Sequence, residues 1–201
     1  MPKNYVVIVL GLGEAAPLYR FFVRNWEKKY NLMPVVHVVG WKDKTEQFDT
    51  KLRRLQTRVQ ELVQAGHNVS LIGVSAGASI SLTTYARLRE QGIHIGSYTS
   101  VCGRFNMGHH WWYPLSYGVN RIPTFKQSVL TAQQYVPQIQ GQNHTPAACF
   151  YSVFDEVVPT SASTLEQVPR AMIYAPFHHL GIYSLFMLPK RLVRQLGQQP
   201  G

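Results

Sequence analysis

Residues 69–77 read Val69-Ser70-Leu71-Ile72-Gly73-Val74-Ser75-Ala76-Gly77. The apolar run Val69–Gly73 has the length and composition of a strand buried on both faces. The segment after it, Ala76–Gln91, carries Ile80, Leu82, Tyr85 and Leu88 and meets Gly92, a C-terminal stop, so it is predicted to be a helix. Gly-x-Ser-x-Gly between a strand and a helix puts the serine on a sharp turn whose strained backbone requires small neighbours. Gly73, Ala76 and Gly77 meet that requirement. Such a turn lifts the Ser75 hydroxyl above the sheet edge. It also aims the Ala76 N–H and the helix N-terminus at the place where negative charge would develop on an attacked carbonyl.

The same alternation extends in both directions. Strands are predicted at Tyr5–Leu10, Val35–Val39, Val69–Gly73, Ile95–Val101, Ala147–Val153 and Ala171–Ala175. Helices are predicted within Ala16–Lys29, Thr45–Ala65, Ala76–Gln91, Phe125–Tyr135, Thr160–Gln167 and Ile182–Leu196. Short, continuously apolar strands separated by amphipathic helices define an α/β chain. The expectation is a three-layer α/β/α arrangement with a mostly parallel sheet of about six strands, in a single domain over 1–201. One stretch breaks the rhythm. Residues 103–123 hold Met107-Gly-His-His-Trp-Trp-Tyr-Pro114 without helical period, and read as an aromatic loop insertion. Its Trp111, Trp112 and Tyr113 are candidates for a substrate wall.

A hydroxyl needs a base to take its proton, and the base needs an acid to orient it. The chain has three aspartates, Asp43, Asp49 and Asp155, and only Asp155 lies between Ser75 and the C-terminal histidines. It directly follows a predicted strand, where open α/β sheets place their sites. Glu156 is the alternative acid. The next strand ends at Pro176-Phe177-His178-His179, which supplies two candidate bases, His178 and His179. The other histidines fall in turns, inside a strand (His37) or in the aromatic loop.

On these residues the sequence resembles a minimal α/β-hydrolase, close in spacing to the small, nearly lidless esterases and lipases. The matching pieces are Gly73-Val-Ser-Ala-Gly77, Asp155-Glu-Val-Val-Pro159 and His179-Leu-Gly-Ile-Tyr-Ser184. The resemblance selects His179, which is followed by an apolar residue, glycine and another apolar residue, and leaves His178 as the alternative. It implies an oxyanion hole made by Ala76 together with Leu12 and Gly13 of the loop after the first strand. It also implies loss of the family's first two strands, and acyl transfer from an ester or thioester through Ser75, Asp155 and His179 with no metal and no organic cofactor.

Two other readings share this sequence. Gly11-Leu-Gly-Glu-Ala-Ala16 fits a weak dinucleotide fingerprint after a strand, although the acid it needs comes late, at Asp43. A hydrolase-like protein that binds without catalysis is the third. The net charge of +10 is dispersed along the chain. Its densest run, Lys51–Arg54, falls on an amphipathic helix, so no specific nucleic-acid partner is expected and a small ester-type molecule is. No stretch is long and apolar enough to span a bilayer. Cys102 and Cys149 read as buried free thiols, and a cytoplasmic location is expected.

Overall fold

The computed structural model describes residues 1–107, 121–140, 147–175 and 177–197. In chain order the elements are β1 (Asn4–Val9), α1 (Ala16–Val23), α2 (Trp26–Tyr30), β2 (Leu32–His37), α3 (Phe48–Gln64), β3 (Asn68–Val74) and α4 (Gly77–Glu90). They continue with β4 (Ser97–Val101), α5 (Pro123–Gln140), β5 (Ala147–Ser152), α6 (Thr160–Ser163), β6 (Arg170–Ile173), α7 (His178–Met187) and α8 (Lys190–Gly197). The six strands form one sheet in the order β2-β1-β3-β4-β5-β6. Every pairing is parallel.

Both faces of the sheet are apolar, and the pleat divides the strand residues between two cores. Val7, Val9, Val69 and Leu71 face α3, α4 and α5, where they meet Leu52, Leu55, Ile80, Leu82, Tyr85 and Val129. Val6, Ile8, Ile72 and Val74 face the opposite way onto α1, α2, α7 and α8, against Tyr19, Trp26, Ile182, Phe186 and Leu192. This double burial is why the strands read as continuous apolar runs rather than alternating ones. The strand order differs from the 3-2-1-4-5-6 order of dinucleotide-binding sheets, because β3 pairs with β1 on the side away from β2.

Several boundaries differ from expectation. β2 begins at Leu32, since an edge strand accommodates Pro34 without losing a central ladder bond. The helix expected over Ala16–Lys29 is two helices, α1 and α2, with a break at Arg24–Asn25. The helix expected over Ile182–Leu196 starts earlier, at His178, and is interrupted at Leu188, which Pro189 forces out of helical geometry. Of the aromatic loop, His109, His110, Trp111, Trp112 and Tyr113 lie outside the described residues.

The turn at Ser75 depends on missing side chains. A Cβ on Gly73 would lie 2.4 Å from Ala78 Cα, and one on Gly77 would lie 2.2 Å from the Val9 carbonyl oxygen. Both collisions are with backbone, which cannot swing aside. Gly77→Ala is therefore expected to lower stability by about 3 kcal/mol or more. Gly13→Ala, where an added Cβ meets nothing within 4 Å, should change it little. Urea unfolding midpoints of the two variants check this.

His37 ends β2 in a buried position, and its Nε2 has no hydrogen-bond partner among the described residues. Burial, then the charges of Arg54 and Arg58, lower its pKa to about 4. The folded chain thus keeps this ring neutral, while the unfolded chain protonates it near the ordinary value of about 6.5. Its contribution to stability is full above that value and falls as pH drops from about 6.5 towards 4, by about 3 kcal/mol in all. Replacing His37 with Phe should flatten that part of the stability–pH curve.

Candidate active site

Ser75, Asp155 and His178 come from the C-terminal ends of three different strands, and the fold brings them into hydrogen-bonding contact. Ser75 follows β3 with φ +51, a left-handed backbone that a non-glycine residue holds only under constraint. Its N–H donates to the Val101 carbonyl at 2.9 Å, and its carbonyl accepts from Ala78 N–H at 3.0 Å, so both sides of the turn are pinned. Its hydroxyl oxygen lies 2.9 Å from His178 Nε2.

Asp155 follows β5 and is 8% exposed. Its Oδ1 accepts from the Val157 N–H at 2.9 Å and the Val158 N–H at 2.7 Å. These two bonds fix the carboxylate so that Oδ2 reaches His178 Nδ1 at 2.7 Å. A carboxylate only accepts, so Nδ1 carries the imidazole proton. Nε2 is then left to accept from the Ser75 hydroxyl. Glu156 does something else: its Oε2 accepts from the His178 backbone N–H at 2.8 Å, anchoring the first residue of α7.

The histidine is where the sequence reading needs correction. The bonds to Ser75 and Asp155 are made by His178, whereas His179, the base selected by the resemblance, is exposed. The His179 ring packs edge-on against His178, with centroids 5.3 Å apart, and lies beside Tyr183. The cause is the helix start. Because α7 begins at His178, successive side chains point about 100° apart, and only the first of the two is directed back at the strand ends. Gly181, three residues along, lets α7 come close: a Cβ there would meet the Ser152 side chain at 3.1 Å. A glycine three residues after a histidine, where a helix must approach a strand, is the signal that could have found His178.

Ala76 starts the turn into α4. Leu12 and Gly13 sit in the loop after β1. The N–H groups of these three find no acceptor among the described residues. The two segments touch: a Cβ on Gly11 would lie 2.8 Å from Ser75 Cβ and 3.3 Å from Ala76 N. Glu14, at φ +43, holds this loop from outside. Its Oε1 accepts from the Gly40 N–H at 2.5 Å and the Trp41 N–H at 3.1 Å. The Trp41 indole N–H closes the connection onto the Leu10 carbonyl at 3.0 Å. Sequence reasoning missed Glu14, whose role depends on a partner 26 residues away.

Ser75, His178, His179 and the loop Leu10–Ala15 line a cleft of about 250 Å³ walled also by Tyr19, Val157, Ile182 and Tyr183. Among the described residues, one group could offer three donors to a metal: Cys102, Asp155 and His178, with ligand atoms within 4.8 Å of one another. Asp155 and His178 are already committed to each other. Burial first, then the Asp155 charge, push the Cys102 thiol well above its ordinary pKa.

No protein-family model matches the sequence, and no curated protein matches it significantly. Solved structures do resemble it. A lipolytic enzyme of the metagenome-derived pair LipS and LipT superposes with a TM-score of 0.67 at 10% identity, covering 96% of this chain and 94% of that one. Human thioesterase 2 gives 0.60 at 10%, covering 98% and 96%. YbtT, a type II thioesterase of the yersiniabactin pathway, gives 0.65 at 12%, covering 97% and 93%. The chain has the α/β-hydrolase fold.

Removing the Glu14 carboxylate should free the loop it holds. Glu14→Ala is expected to speed amide exchange at residues 14, 40 and 41, with Glu14→Gln closer to the parent. Hydrogen exchange read by mass spectrometry checks this.

Proposed function

We propose that this chain is a serine hydrolase that cleaves a carboxylic ester or thioester through an acyl-enzyme on Ser75. The observation that carries the reading is the unbroken path Ser75 Oγ–His178–Asp155, with contacts of 2.9 and 2.7 Å, opening into an apolar-walled cleft. The similar folds of lipolytic enzymes and thioesterases support the reaction class.

In this reading His178 Nε2 takes the Ser75 proton as Oγ attacks the carbonyl carbon. Negative charge collects on the carbonyl oxygen, facing the Ala76 N–H and a second N–H from Leu12 or Gly13. Asp155 orients the imidazole and stabilises the imidazolium. The intermediate collapses as the imidazolium returns the proton to the leaving alcohol or thiol. Water, deprotonated by the same ring, then attacks the acyl-enzyme, and Ser75 recovers its proton. These steps use no metal and no organic cofactor. The dinucleotide alternative has no comparable support: the strand order differs, and the exposed Asp43 carboxylate is occupied by Thr45. A binding protein without catalysis would have no use for a pre-oriented base.

A fluorophosphonate should label Ser75 in the parent protein and not in Ser75→Ala. Turnover of p-nitrophenyl esters should fall by about 10⁴-fold or more in His178→Gln. His179→Gln should stay within a few fold. A folded parent protein that neither labels nor turns over esters would sink the reading, and the reverse ranking of the two histidine variants would move the base to His179.

A further inference from the structure

A second cavity, of about 350 Å³, lies between Trp41–Lys44 of the loop after β2 and Arg121–Thr124 at the start of α5. It opens at the same end of the sheet as Ser75. Trp41, Ile122 and Pro123 give it apolar walls, Lys42 and Lys44 contribute positive charge and Asp43 negative, and Arg121, also in the wall, has an interaction partner of its own. The Asp43 carboxylate is occupied, accepting from the Thr45 N–H at 2.8 Å and its hydroxyl at 2.6 Å. Elsewhere in this region cations are engaged. Lys51 is fully buried and donates to the Gly40 and Asp43 carbonyls, and both Lys51 and Arg54 pair with Glu46. Lys42 and Lys44 are exposed, and none of the ion pairs among the described residues involves them.

The cavity and the Ser75 cleft share a wall. Leu10–Glu14 lines the cleft, and Trp41 is joined to that loop at both ends, by its indole on the Leu10 carbonyl and its backbone N–H on Glu14. Leu12 packs into the same apolar cluster as Trp41 and Ile122. A path from Ser75 to the lysines would cross Leu12, which stands in the layer between the cleft and the cavity.

We infer that this cavity is a subsite for an anionic group, carboxylate or phosphate, at the far end of an apolar arm of the substrate. The inference rests on the ester-cleavage reading above and adds the substrate class to it. Whether the anion sits on the acyl or the leaving side is separated by the choice of ester.

The test compares the parent with K42E/K44E, two surface changes outside the Ser75 machinery. Substrates are neutral p-nitrophenyl hexanoate, mono-p-nitrophenyl adipate with its anion on the acyl side, and 4-(hexanoyloxy)benzoate with its anion on the leaving side. The variant should lose about tenfold or more in kcat/KM for at least one anionic ester. The neutral ester should change less than twofold, Ser75 labelling should persist, and the difference should shrink in high salt. Equal effects on neutral and anionic esters would overturn the inference. Calorimetric titration with octyl phosphate probes the subsite without turnover. Binding weakened about tenfold in the variant keeps the subsite even if ester cleavage fails. No binding to the parent, or equal binding to both proteins, removes it.

Discussion

Around Ser75 three stretches of backbone meet at distances that leave no room for a Cβ. Gly73 abuts α4, Gly77 sits against the Val9 carbonyl at the end of β1, and Gly11 presses on Ser75 itself. The left-handed geometry of Ser75 is held because the strand before it and the helix after it are both locked into packed layers. Such strain persists only where the surroundings over-determine it. The two apolar cores on either side of β3 provide that constraint. The position of the hydroxyl is thus a property of the whole sheet rather than of the pentapeptide.

The remaining site groups are fixed chiefly by polar bonds. Asp155 is steered by two amides of its own turn, and His178 by its backbone bond to Glu156 and by the close approach that Gly181 permits. Glu14 and Trp41 do the same for the loop across the cleft, and buried Lys51 braces the far side of that connection on the Gly40 carbonyl. Most of these groups lie on the loops or helix starts at the C-terminal edge of the sheet. This edge is where a parallel arrangement concentrates its loops, with the elements beneath them rigid.

Much of this was legible in the sequence. Strand–helix alternation and the Gly-x-Ser-x-Gly context indicate a parallel sheet with a serine at one edge, and both are found. Asp155 could be reached by elimination, since it is the one aspartate between the serine and the late histidines. The histidine was harder. His178 and His179 are adjacent, and the choice depends on the residue at which α7 starts, a boundary set by Glu156 and by the positive φ of Phe177 before it. Sequence periodicity does not resolve a boundary to one residue. Glu14 and the Lys42–Lys44 cavity were hidden for a related reason. They exist through contacts between the loops after β1, after β2 and before α5, and no local pattern records which loops become neighbours.

The hydrogen bond between Ser75 and His178 joins residues 103 positions apart, and the bond from His178 to Asp155 spans 23. The pairings that carry the sheet from β3 across to β6 are all parallel, so none is closed by a hairpin. Loop-closure entropy must be overcome for each crossover before the relay exists at all. A chain in which α7 has not docked does not hold His178 against Ser75, whatever the state of its first four strands. The contacts of His178 with Ser75 and Asp155 are therefore products of the completed topology, and a partly folded chain that has not docked α7 lacks them.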